Sequence, residues 1–114
     1  MQHTKEQRLE NAGFKEMTAA EFLGLSPEEE AIVETSLILS RLVREKRLEL
    51  GMSQVQLAAR LGKKQPQVVR LETGEGVSFD AQFAALYAMG VSPREIGERL
   101  ARVSLHVGPK MVEV

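Results

Sequence analysis

The stretch 53-SQVQLAARLGKKQPQVVRLETG-74 decides how the chain is read. It holds two apolar series at helical spacing, Val55, Leu57, Ala58 and Leu61, then Val68 and Leu71. The same stretch holds four of the chain's seven glutamines, Gln54, Gln56, Gln65 and Gln67, with Lys63 and Lys64 between them. Packing alone needs only the apolar series, so the glutamines mark a second, outward face. Ser53 with Gln56 three residues on is a helix start, and Gly62 an end. Pro66 sits in the first turn of a second helix that Thr73 and Gly74 close. Counting from Gln54, the fifth residue is Ala58, small enough for steeply crossed helices to touch. The ninth is Gly62, free to adopt positive φ in the turn. In this order the features predict a helix-turn-helix.

Helical signals continue on both sides. Upstream, Ser26-Pro27-Glu28-Glu29 combines a serine cap, an N1 proline and a capping-box glutamate, and Ile32, Val33, Leu37, Leu39, Leu42, Val43 and Leu50 carry a long helix to Gly51. The run Glu28-Glu29-Glu30 is better explained by the helix macrodipole than by metal binding. Downstream, Ser78 caps a helix with Phe79, Phe83, Leu86 and Met89 inward, ending at Gly90. Ser92-Pro93-Arg94-Glu95 starts another through Ile96 and Leu100. The spacing of Phe79, Phe83, Tyr87 and Met89 reads as core rather than a ligand pocket. The expected class is all-α, divided into an N-terminal extension (1–36), a helix-turn-helix domain (37–102) and a C-terminal tail (103–114). Residues 1–12 are polar enough to fray, while Phe14, Met17, Phe22, Leu23 and Leu25 predict a short packed helix. Val103, Leu105 and Val107 alternate with polar residues. That pattern fits a short β-strand needing a partner, such as the same strand of a second copy, or equally an unstructured tail.

Composition narrows the function. The 114 residues include no cysteine, and His3 and His106 lie near opposite ends, so neither metal nor cofactor is expected. No apolar run approaches a membrane span and the start lacks a signal-peptide core, so a cytoplasmic protein is expected. No Ser/His/Asp set, phosphate loop or paired catalytic carboxylates stand out, and an enzyme is not expected. The net charge of −1 conceals an asymmetry: residues 1–34 carry three basic and eight acidic side chains, and residues 41–72 carry eight basic and three acidic. On charge alone a solvated helix face explains the basic block more simply than a partner does. Its coincidence with the glutamines points to an electrostatic footprint.

Residues 51–74, GMSQVQLAARLGKKQPQVVRLETG, resemble the phage-repressor type helix-turn-helix family (Cro/cI-like, also called XRE). They meet its pattern G-[LM]-S-Q-x-x-L-A-x-x-L-G, a turn, then Q-x-x-[VI]-x-x-[LI]-E-x-G, nearly throughout. Residues 77–96, VSFDAQFAALYAMGVSPREI, are similar to the family's fourth and fifth helices. The segment AGFKEMTAAEFLGLSPEEEAIVETSLILSRLVREKR resembles, less specifically, an extension found in small bacterial regulators, many of them HigA-like antitoxins. The resemblance implies a compact five-helix lambda-repressor-like domain. It implies that Gln54 holds a DNA phosphate and braces the recognition helix, and that Gln65, Pro66, Gln67 and Arg70 face base edges. The chemistry agrees: a glutamine amide matches adenine's N7 and N6, and arginine the two acceptors of guanine. Lys63, Lys64 and the loop at Thr73 would contact phosphates. Arg44 and Arg47 would either reach phosphates or pair with nearby glutamates.

Two positions depart from the family. Lys64 stands where a Ser or Thr cap is usual, a loss of roughly 1 kcal/mol. Pro66 replaces a small polar base-reader and offers only apolar contact, although it presets φ for a helix start. The resulting expectation is a repressor of double-stranded DNA, homodimeric on a palindromic operator, with the dimer interface in the fifth helix and C-terminal strand or in the N-terminal extension. It would be the autoregulating antitoxin of a small basic toxin, a stand-alone regulator, or an adaptor that binds protein instead of DNA.

Overall fold

Among the described residues from 26 to 102, serine begins four helices and a lysine a fifth, and this difference shapes the site. The computed structural model describes residues 22–102. The helices are α1 (Pro27–Glu49), α2 (Gln54–Leu61), α3 (Gln65–Thr73), α4 (Phe79–Ala88) and α5 (Pro93–Ala101), with no strand among the described residues. The described chain falls into two units, 22–31 and 32–102, with the boundary inside α1. The expected helix around Phe14 and Met17 and the C-terminal strand lie outside the described residues.

In the first unit Ser26 and Glu29 form a reciprocal box. The Ser26 hydroxyl accepts from the Glu29 N–H at 3.1 Å, and the Glu29 carboxylate accepts from the Ser26 N–H at 2.8 Å. Within the second unit Ser53 and Gln56 repeat this pattern at 3.0 and 2.8 Å. The Ser78 and Ser92 hydroxyls accept from the N–H groups of Ala81 and Glu95, each at 3.1 Å. Each bond satisfies a backbone donor that helix geometry leaves free. At the end of α2, Gly62 turns left-handed at φ 68°, letting the Lys63 N–H reach the Ala58 carbonyl at 2.8 Å.

One core joins all five helices of the second unit. Leu39, Leu42 and Val43 of α1 meet Leu57 and Ala58 of α2, Val68 and Leu71 of α3, Ala85, Leu86 and Met89 near α4, and Ile96 of α5. Phe79 and Phe83 pack half-buried against it. The core is narrower than the apolar series suggest. Val55 lies one position off the Leu57–Ala58–Leu61 face and is exposed, and Leu50 is exposed in the turn after α1. Ile32 and Val33 border an open groove with Val77 and Phe79 instead of being covered. Two ion pairs hold α5 to α1, Lys46–Glu95 at 2.7 Å and Arg99–Glu45 at 2.9 Å. The hydrogen bond to Glu95, and then the one to Glu49, holds the Lys46 ammonium above its ordinary pKa.

A polar cluster lies where α1, α3 and α4 converge. Gln82 of α4 is fully buried, and its amide donates to the Ser36 carbonyl and the Ser40 hydroxyl, both at 2.9 Å. Gly74, which ends α3 at φ 83°, leaves only a tight fit for a side chain. A Cβ there would stand 3.2 Å from the Ser40 Oγ and 3.3 Å from the Ser36 Oγ. Gly74→Ala should therefore lose more than the roughly 1–2 kcal/mol of a left-handed alanine. Gly62→Ala, at φ 68° in open space, should lose only that. Urea unfolding of the two variants checks this, and equal losses would show that the serines yield.

Candidate nucleic-acid interface

The surface containing the glutamines is built on an ion pair beneath it. Arg47, on the Leu39–Val43 stripe of α1, is buried and donates to Glu72 of α3 through Nε at 2.5 Å and one terminal nitrogen at 3.1 Å. Its other terminal nitrogen donates to the Met52 carbonyl at 2.9 Å, in the turn before α2. The Glu72 carboxylate also accepts from the Gln54 amide at 3.2 Å. The Gln54 carbonyl in turn accepts from the Gln65 amide at 3.3 Å. A chain of hydrogen bonds thus runs from the interior, through half-buried Gln54, to Gln65 at the exposed start of α3. Gln54 links the ion pair to the start of α3. Arg47, by contrast, is withdrawn from any phosphate.

The start of α3 lacks the side-chain cap that a serine would supply, since the Lys64 side chain makes no such bond. The other half of the box is present. Gln67 Oε1 accepts from the Lys64 N–H at 2.8 Å, so one amide oxygen expected to face bases closes the helix instead. Pro66 in the first turn removes one N–H that would need an acceptor.

Gln65, Pro66, Gln67 and Arg70 are all exposed along α3, and Lys63 and Lys64 precede them, also exposed. Lys63, Gln67 and Arg70 share an open recess of about 330 Å³ with Gly76, Val77 and Ser78, at the start of α4. Cationic side chains and the free N–H groups of a helix N-terminus together favour an anionic group such as phosphate. Thr73 spends its hydroxyl locally, on the Arg70 carbonyl at 3.5 Å and the Glu75 N–H at 3.4 Å. Arg44 is exposed and, among the described residues, makes no ion pair. Sequence reasoning missed the Arg47–Glu72 pair and the buried Gln82. Both sit on core stripes, at spacings of four from Val43 and from Leu86, and that spacing was the available signal.

Residues 43–96 match the family model described as Helix-turn-helix. That span covers α2 to α5 up to Ile96 and the last part of α1, and its family is one of DNA-binding regulators. No curated protein and no solved structure matches the chain. The match over these helices suggests a DNA-binding transcriptional regulator.

The ion pair gives a stability test. Arg47→Met would leave the Glu72 carboxylate buried without its cation, a loss of about 3–5 kcal/mol. Adding Glu72→Leu should restore most of it, because an apolar pair replaces a buried ionic one at little net cost. Urea midpoints of the single and double variants measure both. A loss of less than about 1 kcal/mol in the single variant would show the pair to be dispensable.

Proposed function

We propose that the chain is a sequence-specific repressor that places α3 in the major groove of double-stranded DNA and acts as a homodimer on a palindromic operator. One observation carries this reading: the exposed start of α3 presents the Gln65 amide, whose orientation is fixed from within by Arg47, Glu72 and Gln54. Preorganised polar groups on a helix are what base-edge recognition requires. Gln65, Gln67 and Arg70 contact bases, with apolar contact from Pro66. Gln54, Lys63, Lys64, Thr73 and Arg44 hold phosphates. A single recognition helix spans few base pairs, which favours paired half-sites about one helical turn apart. The dimer contact is made by α5 with the residues after it, or by the N-terminal extension.

The reading extends to an autoregulating, cytoplasmic antitoxin with a small basic toxin as partner, supported by the resemblance of residues 12–47 and the acidic balance of residues 1–34. Among the described residues no helix is long and apolar enough to cross a membrane. Co-purification of a small basic protein with the expressed operon tests the antitoxin role, and its absence would leave a stand-alone regulator.

Fluorescence anisotropy on the chain's own upstream DNA, against a scrambled duplex at two salt concentrations, tests the central reading. Preference for its own DNA should persist at the higher salt. Equal, salt-sensitive binding to both duplexes would leave a basic patch without sequence recognition, and no binding would favour a protein adaptor. Lys64→Ala should weaken both duplexes alike and lower the salt slope by about 1.

A further inference from the structure

The two glutamines at the start of α3 offer different chemistry outward, and the polarity of each is forced by its neighbour. A backbone N–H can only donate, so the atom of Gln67 facing Lys64 must be its oxygen. The oxygen is thereby committed to the helix terminus, and the Nε2 of Gln67 makes no hydrogen bond among the described residues. Gln65 is fixed from the other side. The Glu72 carboxylate can only accept, which turns the Gln54 amide nitrogen toward it and the Gln54 oxygen toward Gln65. Gln65 therefore spends one N–H and keeps an oxygen and a second N–H free. That pair complements adenine, which offers a donor at N6 and an acceptor at N7. Gln67 keeps both N–H groups of its Nε2 free, while its oxygen, with one lone pair left, is held against the helix start. It shares its recess with Lys63 and Arg70, both donors, and no carboxylate lines that recess.

We propose that Gln67 reads bases through its amide donor and selects a keto base, guanine through O6 and N7 or thymine through O4, against the amino groups of adenine and cytosine. The proposal rests on the DNA-reading function above. It assigns Gln67 a specificity opposite to the adenine match that a free glutamine amide would have. The cause is local: as Gln56 does at Ser53, the third residue of α3 lends its oxygen to the backbone N–H of the cap residue.

The test is selection of duplexes from a random library by the full chain, by Gln67→Ala and by Gln67→Glu. The wild-type motif should contain one position whose preference vanishes in Gln67→Ala, and that position should be guanine or thymine. Gln67→Glu keeps an oxygen for the Lys64 N–H but has no donor, so its helix start stays closed while its preference inverts toward cytosine N4 or adenine N6. Competition between duplexes differing at that base should show a keto preference of roughly 5- to 150-fold for the wild type and the reverse for Gln67→Glu. A Gln67-dependent position that selects adenine or cytosine would overturn the proposal. So would a wild-type motif in which no position depends on Gln67. Both outcomes leave the DNA-reading function standing. A wild type that enriches no motif would overturn both.

Discussion

A guanidinium and a carboxylate, each more than nine-tenths buried, tie α1 to α3. Taking either ion out of water costs several kcal/mol, and the pair persists only if the surrounding donors and acceptors are matched. Here they are: Arg47 spends its nitrogens on Glu72 and the Met52 carbonyl, and Glu72 takes Gln54 as a further donor. Among the described residues no buried side-chain polar atom lacks a partner. Breaking one bond would strand a buried charge, which costs more than the pair contributes. Rotation of α3 about its axis, or sliding along α1, is therefore strongly opposed. The same guanidinium grips the turn entering α2, so one side chain sets the mutual placement of three helices.

This arrangement divides the basic block by role. Arg47 is consumed by the interior, Lys46 by Glu95 and Glu49, and Arg60 by the Ala88 carbonyl at 3.2 Å. Lys63, Lys64 and Arg70 remain exposed around the turn and α3 without an ion pair among the described residues. Summed charge over a segment thus overstates the field a partner would meet. Of the cations unpaired among the described residues, Lys63, Lys64 and Arg70 lie beside the amides, and Arg41 and Arg44 are exposed on α1.

The architecture was legible because its signals are local. Ser26, Ser53, Ser78 and Ser92 cap helices that begin where the sequence places them, and Gly62 turns where a left-handed residue was required. The extent of burial was less legible, since apolar periodicity marks a face without saying whether anything covers it. Ile32, Val33 and Val55 show that gap. Polar interiors were least legible. Arg47 and Gln82 read as surface residues by type, and their burial depends on Glu72, Ser36 and Ser40, which are distant in sequence. The loss expected at Lys64 was partly offset in a way the capping-box rule could have suggested, because Gln67 stands three residues on.

Pro66 has a consequence of its own. A ring at the second residue of a nine-residue helix narrows the conformations open to the unfolded segment as well as the folded one. So short a helix would be marginal in isolation. With its φ preset by proline, its start closed by Gln67 and its underside fixed through Gln54 and Glu72, α3 has little freedom left to surrender on binding. Association then costs less ordering entropy. The same rigidity limits adjustment to an imperfect partner, so under the proposed function discrimination between related sequences would come from misfit at the base edges and not from rearrangement of the helix.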